Sequence, residues 1–477
     1  METILGNLQV KRKCQRFTPE KTVTEMLKLA NYTAKREIVG KKVLENSFGN
    51  GNILIAIVRE YILACKMKGL SKFNIVQGLE RDIYGIELDT NLYNQTLERL
   101  NRLIEEFNIS KVNWRLFNVD ALFWKTDVLF DFIIGNPPYV SYKDINESNR
   151  SLLKKKFSVC AEGKFDYCYA FIESAINILS ENGKLVQLVP NNIYKNVFAK
   201  RLRELLKPHI KQINIYPAQK LFDEVLTSNS IFLYDAGDMV RNVKIRDITS
   251  RTSRVVSRGS LNEKWTFSSV TTAKDGYVRF GDFYKASSVI ATLLNKAFII
   301  SEDVYNLIES KSVRKAVSPK TMHFKKKEYI IFPYKYIGKN LKRYEEQEFE
   351  KLFPLATAHL RSFTDELNER KADNNAKWFE YGRSQALQYM NQDKIILSTV
   401  ITNSVEVYHI GEKAIPYAGI YVISRNEKYD LDIAKKILES EDFLNYVNKI
   451  GINVNGKSLR ITCKDINNYY FKVKDFF

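Results

Sequence analysis

Nowhere does this chain approach the ~18 uninterrupted apolar residues that a membrane-spanning helix needs, so no transmembrane segment is expected. Its start, METILGNLQVKRKCQRF, lacks the basic, apolar, small order of a secretory signal. Cysteine is scarce and scattered: Cys14, Cys65, Cys160, Cys168 and Cys463 include no C-x-x-C pair. An odd, sparse set fits a reducing cytoplasm rather than a disulfide framework, and a cytoplasmic location is expected. The four histidines, His209, His323, His359 and His409, show no zinc-type spacing, so no metal site is expected. Internal repeats and long low-complexity tracts are absent as well.

Positive charge is what the chain has in excess. Lysine and arginine number 74 against 55 acidic residues, a formal net charge of +19. A surplus of that size favours a polyanionic partner, nucleic acid or an anionic membrane surface, over a merely basic soluble protein. With 477 residues, 45% of them hydrophobic, the chain can bury two substantial cores, or three.

From Val43 to Tyr234 short apolar runs alternate with longer amphipathic stretches. Strands are predicted at 42–46, 82–88, 112–118, 130–136, 184–190, 211–217 and 229–235. Helices are predicted at 91–107 and 166–183, the second stopped by Asn182-Gly183. Such alternation argues for an open α/β sheet with helices on both faces, whose ligands bind at the carboxyl ends of the strands. The segment 238–260, DMVRNVKIRDITSRTSRVVSRGS, is basic, serine-rich and broken, and reads as a connector. The expected organisation is a first domain over 1–240, a basic connector over 241–264 and a second, mixed α/β domain over 265–477. In the last, 323–344 and 377–394 read as exposed basic and aromatic clusters.

Unusual residues gather at the predicted strand ends. The first strand runs into ENSFGNGN (45–52), a glycine-spaced turn before an apolar helix, which lets a ligand approach the backbone closely. It is no Walker loop, since no Gly-Lys-Ser/Thr follows, and the third glycine of a dinucleotide fingerprint is missing. The second strand ends in Glu87 and Asp89, where a carboxylate can accept from two ribose hydroxyls. The third ends in Asn118-Val119-Asp120, and Asp120 could accept from an exocyclic adenine amine. Singly, each acid reads as a helix cap or a solvated turn. Together, at successive strand ends, they describe an adenosine pocket. The fourth strand, FDFIIG, stops at Asn136-Pro137-Pro138-Tyr139. Two prolines remove two backbone donors and fix φ at consecutive positions, so neither helix nor sheet can continue. The Asn136 side-chain carbonyl and the Pro137 main-chain carbonyl can both accept from an NH2 group, and Tyr139 offers a flat face to a planar substrate.

With these motifs the chain resembles the S-adenosylmethionine-dependent DNA adenine-N6 methyltransferases of the γ motif order, whose catalytic motif is NPPY. The likeness begins at Gln15-Arg16-Phe17-Thr18-Pro19 and runs through ENSFGNGN, IELD, NVDALF and NPPY. It continues with KFDYCYAFIESAINIL, LVPNNIY, Leu221-Phe222-Asp223 and Thr227-Ser228-Asn229. A looser pattern in the second half, LLNKAFII (293–300), EYIIFPY (328–334), KWFEYGRSQ (377–385) and IPYAGIYVI (415–423), is similar to the target-recognition domain of these enzymes.

The resemblance implies a Rossmann-like class I methyltransferase domain with a mostly parallel sheet, followed by a mixed α/β target-recognition domain. Its cofactor would be S-adenosyl-L-methionine. Glu45, Asn46, Gly49 and Gly51 would surround the methionine part, closed by Phe17, Thr18 and Pro19. Glu87 would bind the ribose and Asp120 the cofactor adenine. Asn136, Pro137, Pro138 and Tyr139 would form the catalytic motif, with Tyr139 and, from the far side, Phe198 holding a flipped target adenine. The implied partner is double-stranded DNA, alongside a separate restriction endonuclease acting on the same site. Asn46-Ser47-Phe48 departs from the family's habit of a proline and a small residue before the glycines, and Arg59 to Asp82 is a long insertion between the first two cofactor motifs. The stretch before Gln15 leaves no room for a nuclease, so no fused nuclease is expected. RNA, a protein glutamine amide, or a non-catalytic DNA-specificity role remain the alternatives.

Overall fold

The computed structural model describes residues 18–216, 228–267, 275–338, 340–455 and 458–476. Phe17, Leu221-Phe222-Asp223 and Thr227 lie outside the described residues. The chain divides into two compact units, Met1–Phe267 and Ser268–Phe477.

The first unit is built on a nine-stranded sheet in the order β3-β2-β1-β4-β5-β7-β6-β8-β9. These strands are β1 (Val43–Glu45), β2 (Ile83–Ile86), β3 (Arg115–Phe117), β4 (Phe130–Gly135), β5 (Leu179–Pro190), β6 (Ile210–Tyr216), β7 (Asn229–Asp235), β8 (Asn242–Asp247) and β9 (Thr252–Ser257). From β3 to β5 all pairings are parallel; β7 runs antiparallel between β5 and β6. The central strands are apolar at consecutive positions because both faces are covered. Along β4, Phe132 and Ile134 join the core beneath α1 (Glu20–Ala30), α2 (Asn52–Met67), α3 (Lys72–Asp82) and α4 (Thr90–Glu106). Ile133 faces the opposite core with α5 (Glu147–Lys156), α6 (Tyr167–Ile176) and α7 (Lys200–Leu206). After β1 the chain adds β2 and β3 on one side, then returns to place β4 on the other. Strand order therefore reverses between β1 and β4, and it is at the carboxyl ends of strands flanking such a switch that open α/β sheets bind ligands.

Two expectations change here. The helix predicted to reach Gly183 ends at Ile176, and Leu179 already pairs with Phe130 as part of β5. Asn182-Gly183 is not a helix stop but part of an irregularity in that pairing. There the chain passes so close to β4 that a Cβ on Gly183 would sit 2.7 Å from the Phe130 carbonyl oxygen. The stretch expected as a basic connector, 241–264, contributes two strands to the sheet: β8 pairs with β6, and β9 with β8. Only one face of β8 is buried, by Val243 and Ile245, while Lys244 and Arg246 are exposed. Charge on that open face makes the strand resemble a linker in composition. Finally, the insertion from Arg59 to Asp82 holds the end of α2 and all of α3.

The second unit is mixed α/β. One antiparallel sheet places Tyr284–Ser288, Ile420–Ser424, Lys394–Leu397 and Val407–Ile410 side by side and packs on the helices Leu431–Glu439 and Glu441–Ile450. A second sheet aligns Ile299–Ile300, Glu328–Ile331, Val313–Val317 and Ile415–Pro416. The aromatic text at 323–344 and 377–394 is largely interior rather than exposed. Phe332, Tyr334, Phe379 and Tyr381 are buried, and the Tyr381 hydroxyl donates to the Ile331 carbonyl at 2.8 Å. Among the described residues no helix is long and apolar enough to cross a membrane.

Candidate active site at the carboxyl ends of the parallel strands

The turn after β1 is held from three sides. Phe48 N–H donates to the Ile86 carbonyl at the end of β2, at 3.1 Å. Glu87 accepts from Gly49 N–H through Oε2 at 2.8 Å and from Asp89 N–H through Oε1 at 2.9 Å, so one carboxylate joins the glycine turn to the start of α4. From α4 the Thr96 hydroxyl donates to the Gly49 carbonyl at 2.9 Å. Gly51 precedes α2 with φ +82°, and a Cβ there would lie 2.5 Å from Thr96 Cγ2. Both the conformation and the close approach demand glycine.

Two side chains in this turn are buried with unmet acceptors. Glu45 is 1% exposed, and its Oε2 has no hydrogen-bond partner among the described residues. Burial holds its carboxyl well above the usual carboxylate range, the nearby Glu87 adds to this, and the Leu54 backbone N–H opposes it. Asn46 is buried as well, its Oδ1 equally without a described partner, 3.3 Å from where a Gly135 Cβ would stand. Burial also raises the Glu87 carboxyl, against the backbone N–H groups it accepts from.

At the end of β3, Asn118 donates to the Glu87 and Leu88 carbonyls at 2.8 and 3.0 Å, binding the second and third strand ends together. Asp120 accepts from Leu122 N–H at 2.9 Å through Oδ1, while Oδ2 is buried without a described partner. Burial raises this carboxyl too.

At the end of β4, Pro137 is buried and Asn136, Pro138 and Tyr139 are half-buried. Asn136 Nδ2 donates to the Thr18 hydroxyl at 3.2 Å, and Ser47 Oγ donates to the Asn136 main-chain carbonyl at 3.1 Å. Tyr139 donates its hydroxyl to the Leu188 carbonyl of β5 at 2.9 Å, which fixes its ring. Thr18 and Pro19 stand just before α1, and the Thr18 carbonyl accepts from Asn52 Nδ2 at 3.0 Å. The turn after β1, the residues before α1 and the NPPY stretch thus form one hydrogen-bonded group. Phe198 is apart from it: 42% exposed, its ring lies over Gly163, where a Cβ would come within 2.1 Å of it.

Residues 26–222 match the family described as Eco57I restriction-modification methylase. The match begins inside α1 and takes in β1 to β6, hence every strand end described above. The Type II methyltransferase M.BstVI of Geobacillus stearothermophilus is 28% identical over 253 residues, 49% of this chain and 45% of that protein. The Type II restriction enzyme and methyltransferase RM.Eco57I of Escherichia coli is 23% identical over 413 residues, 74% of this chain and 40% of that one. The chain therefore spans less than half the length of either relative. Among solved structures, the Type IIL restriction-modification enzyme MmeI in complex with DNA shares the fold, with TM-score 0.60 and 12% identity over 94% of this chain and 65% of its own.

Several residues of this group carried no individual assignment in the sequence reading. Asn52 closes the quoted ENSFGNGN, so a signal was present. Thr96 and Arg99, whose Nη1 donates to Asn52 Oδ1 at 3.1 Å, sit on the ordinary amphipathic helix α4, and nothing in their spacing marks them. Asp166, half-buried before α6 and outside that group, accepts from Asn192 Nδ2 at 3.2 Å and has its carboxyl raised by burial; it lies in the KFDYCYAF stretch.

Proposed function

We propose that this chain transfers a methyl group from S-adenosyl-L-methionine to the N6 amine of a flipped-out adenine in double-stranded DNA, as the modification activity of a restriction-modification system. The observation that carries this reading is the NPPY stretch at the end of β4, across the strand-order switch from a glycine turn flanked by buried, partly unpartnered acids. A separate restriction endonuclease acting on the same site belongs to the same reading, and so does a target-recognition role for the second unit.

The residues suit the cofactor. Glu45, buried with an open acceptor, fits the methionine ammonium, and Asn46 adds a second open acceptor. Gly49 adds no side chain to the turn, while Gly51 lets Thr96 of α4 pack against it, with Thr18 and Pro19 beside the turn. Glu87 retains lone pairs for ribose hydroxyls beyond the two N–H groups it already accepts from. Asp120 Oδ2 is an open acceptor for an adenine amine. When bound, S-adenosyl-L-methionine supplies a methyl group on a cationic sulfur leaving group.

The chain's own residues then orient the acceptor. Adenine N6 is out of reach inside a duplex, and unstacking it costs a few kcal/mol. Stacking on Tyr139, worth roughly 1–3 kcal/mol, offsets that, with Phe198 as a candidate for the opposite face. Asn136 Oδ1 and the Pro137 carbonyl accept from the amine's two hydrogens and leave its lone pair directed at the methyl carbon. No strong base is required; proximity and orientation carry the rate.

The test is transfer of tritiated methyl groups to long unmodified DNA, followed by digestion to nucleosides. Label should appear in N6-methyldeoxyadenosine. Asn136→Ala and Tyr139→Ala should each lose about 10²-fold in rate while still binding S-adenosylhomocysteine. Normal rates in both variants, or label entering only RNA or protein, would overturn the assignment.

A further inference from the structure

We infer that Val197 and Phe198 form a wedge that enters the base stack of the duplex and opposes the return of the extruded adenine. The inference rests on the methylation of a flipped adenine proposed above. Val197 is 56% exposed and Phe198 42%, side by side in the single 3-10 turn Val197–Ala199 that precedes α7. The turn beneath them is held firmly. The Asn196 side chain accepts from Phe198 N–H at 3.2 Å, and the Asn196 carbonyl accepts from Arg203 Nη1 at 2.7 Å. That guanidinium, on a residue 3% exposed, also holds the Ile193 carbonyl at 2.9 Å. The Phe198 ring rests on Gly163 so closely that no side chain would fit there. Two apolar side chains thus stand out from a braced support.

This tip leaves the carboxyl end of β5, the strand beside β4. β5 carries the Leu188 carbonyl to which Tyr139 donates, and Asn191-Asn192 follow at its end. Asn192 reaches Asp166 at 3.2 Å, and next to Asp166 the Tyr167 N–H donates to the Val140 carbonyl, one residue past NPPY, at 2.9 Å. Gly163, under Phe198, precedes that same stretch. Both supports of the tip therefore lead within a few residues to the NPPY stretch. Charge points to what covers it. Lys195, Lys200 and Arg201 flank the apolar pair in the chain, Lys164 follows Gly163, and Lys200 and Arg201 also reach Glu204 and Glu162. Apolar residues among cations suit a partner whose anionic surface encloses an apolar interior. For a chain acting on DNA, that is the phosphate backbone around the stacked bases. Apolar side chains can part base steps, and a base turned out of the stack leaves a gap that such a pair would fill.

The test uses the full chain and duplex oligonucleotides bearing the motif it methylates in cells, either matched or with an abasic site opposite the target adenine. An adenine without a pairing partner leaves the stack at lower cost, so it needs the wedge less. Val197→Ser, and Val197→Ser combined with Phe198→Ser, should lower the single-turnover methylation rate on the matched duplex roughly 10- to 100-fold. On the abasic duplex both should run within about threefold of the unaltered chain, with the Kd of S-adenosylhomocysteine unchanged. Val197→Ser changes only the more exposed residue and carries the test by itself should the double variant fail to fold. Full rates on the matched duplex overturn the wedge. An equal loss on both duplexes also overturns it, and is the result expected if Phe198 instead stacks on the extruded adenine. Intact duplex rates with lost binding to phosphatidylglycerol vesicles would give the tip to a membrane surface and overturn it as well. Full activity in Asn136→Ala would instead overturn the proposed methyl transfer, so the two failures are distinguishable.

Discussion

Glu45 shows how a single side chain can report on this site. Folding raises its carboxyl well above the ordinary range, first through burial and then through Glu87. The folded protein therefore holds that proton more tightly than the unfolded chain does. Below the ordinary carboxylate range both states are protonated and the group has no effect on stability. As pH rises through the window up to the raised value, the unfolded state loses its proton first and stability falls. Glu45→Gln should thus melt above the parent at neutral pH, and the gain should vanish in acid. In the parent, S-adenosylhomocysteine should bind more tightly as pH rises and Glu45 ionises, while Glu45→Gln should lose that dependence. A parent affinity flat with pH would contradict a contact between Glu45 and the ligand's ammonium. The sequence made Glu45 visible as a strand-end acid, but not its burial beside a second carboxylate. That depends on β1 and β2 lying next to each other, a long-range fact.

Among the elements, the turn between β1 and α2 makes the sharpest demand. Gly51→Ala meets a left-handed conformation that costs an L-residue about 1–2 kcal/mol, together with the 2.5 Å approach of Thr96. It should lower the melting temperature and weaken S-adenosylhomocysteine binding. Adding Thr96→Ser removes the nearest clashing methyl, Cγ2, so part of the melting loss should return; unchanged melting in the single variant would contradict the close packing. The inserted helix α3 ends in a different device, remote in role from the strand-end residues. Asp82, fully buried, accepts from Tyr61 at 2.5 Å, from Gly40 N–H at 3.1 Å and from Arg81 at 2.7 Å through both oxygens. Asp82→Ala strands the Tyr61 hydroxyl and should cost about 1–3 kcal/mol by chemical denaturation, with methyl transfer by the folded fraction unchanged. What was legible at this scale follows from burial. β1, β2, β4 and β7 are apolar on both faces and announce themselves, whereas β8 is buried on one face and basic on the other, and its composition resembles a linker. The early start of β5 was hidden for another reason. Leu179 and Gly183 serve a pairing with Phe130 that no local pattern encodes.

For the whole molecule, the net charge of +19 suits the proposed duplex partner. Affinity for DNA should fall roughly 10³-fold between about 50 and 200 mM salt, the loss expected for some six neutralised phosphates; binding indifferent to salt would remove the polyanion argument. At this scale the first unit was legible because its candidate site residues sit at successive strand ends, in chain order, where sequence adjacency and spatial adjacency coincide. The second unit was legible only as a class. Its aromatic clusters read as exposed and prove to be core, since Phe379 and Tyr381 pack inside rather than face outward. The most direct test of the central claim is sequencing of DNA, by a method that detects N6-methyladenine, from cells lacking other adenine methylases and expressing this one chain or its Asn136→Ala variant. The account predicts N6-methyladenine at one fixed motif with the parent chain and none with the variant. Unmodified adenine throughout with the active parent chain, or the same modification with the variant, would contradict it.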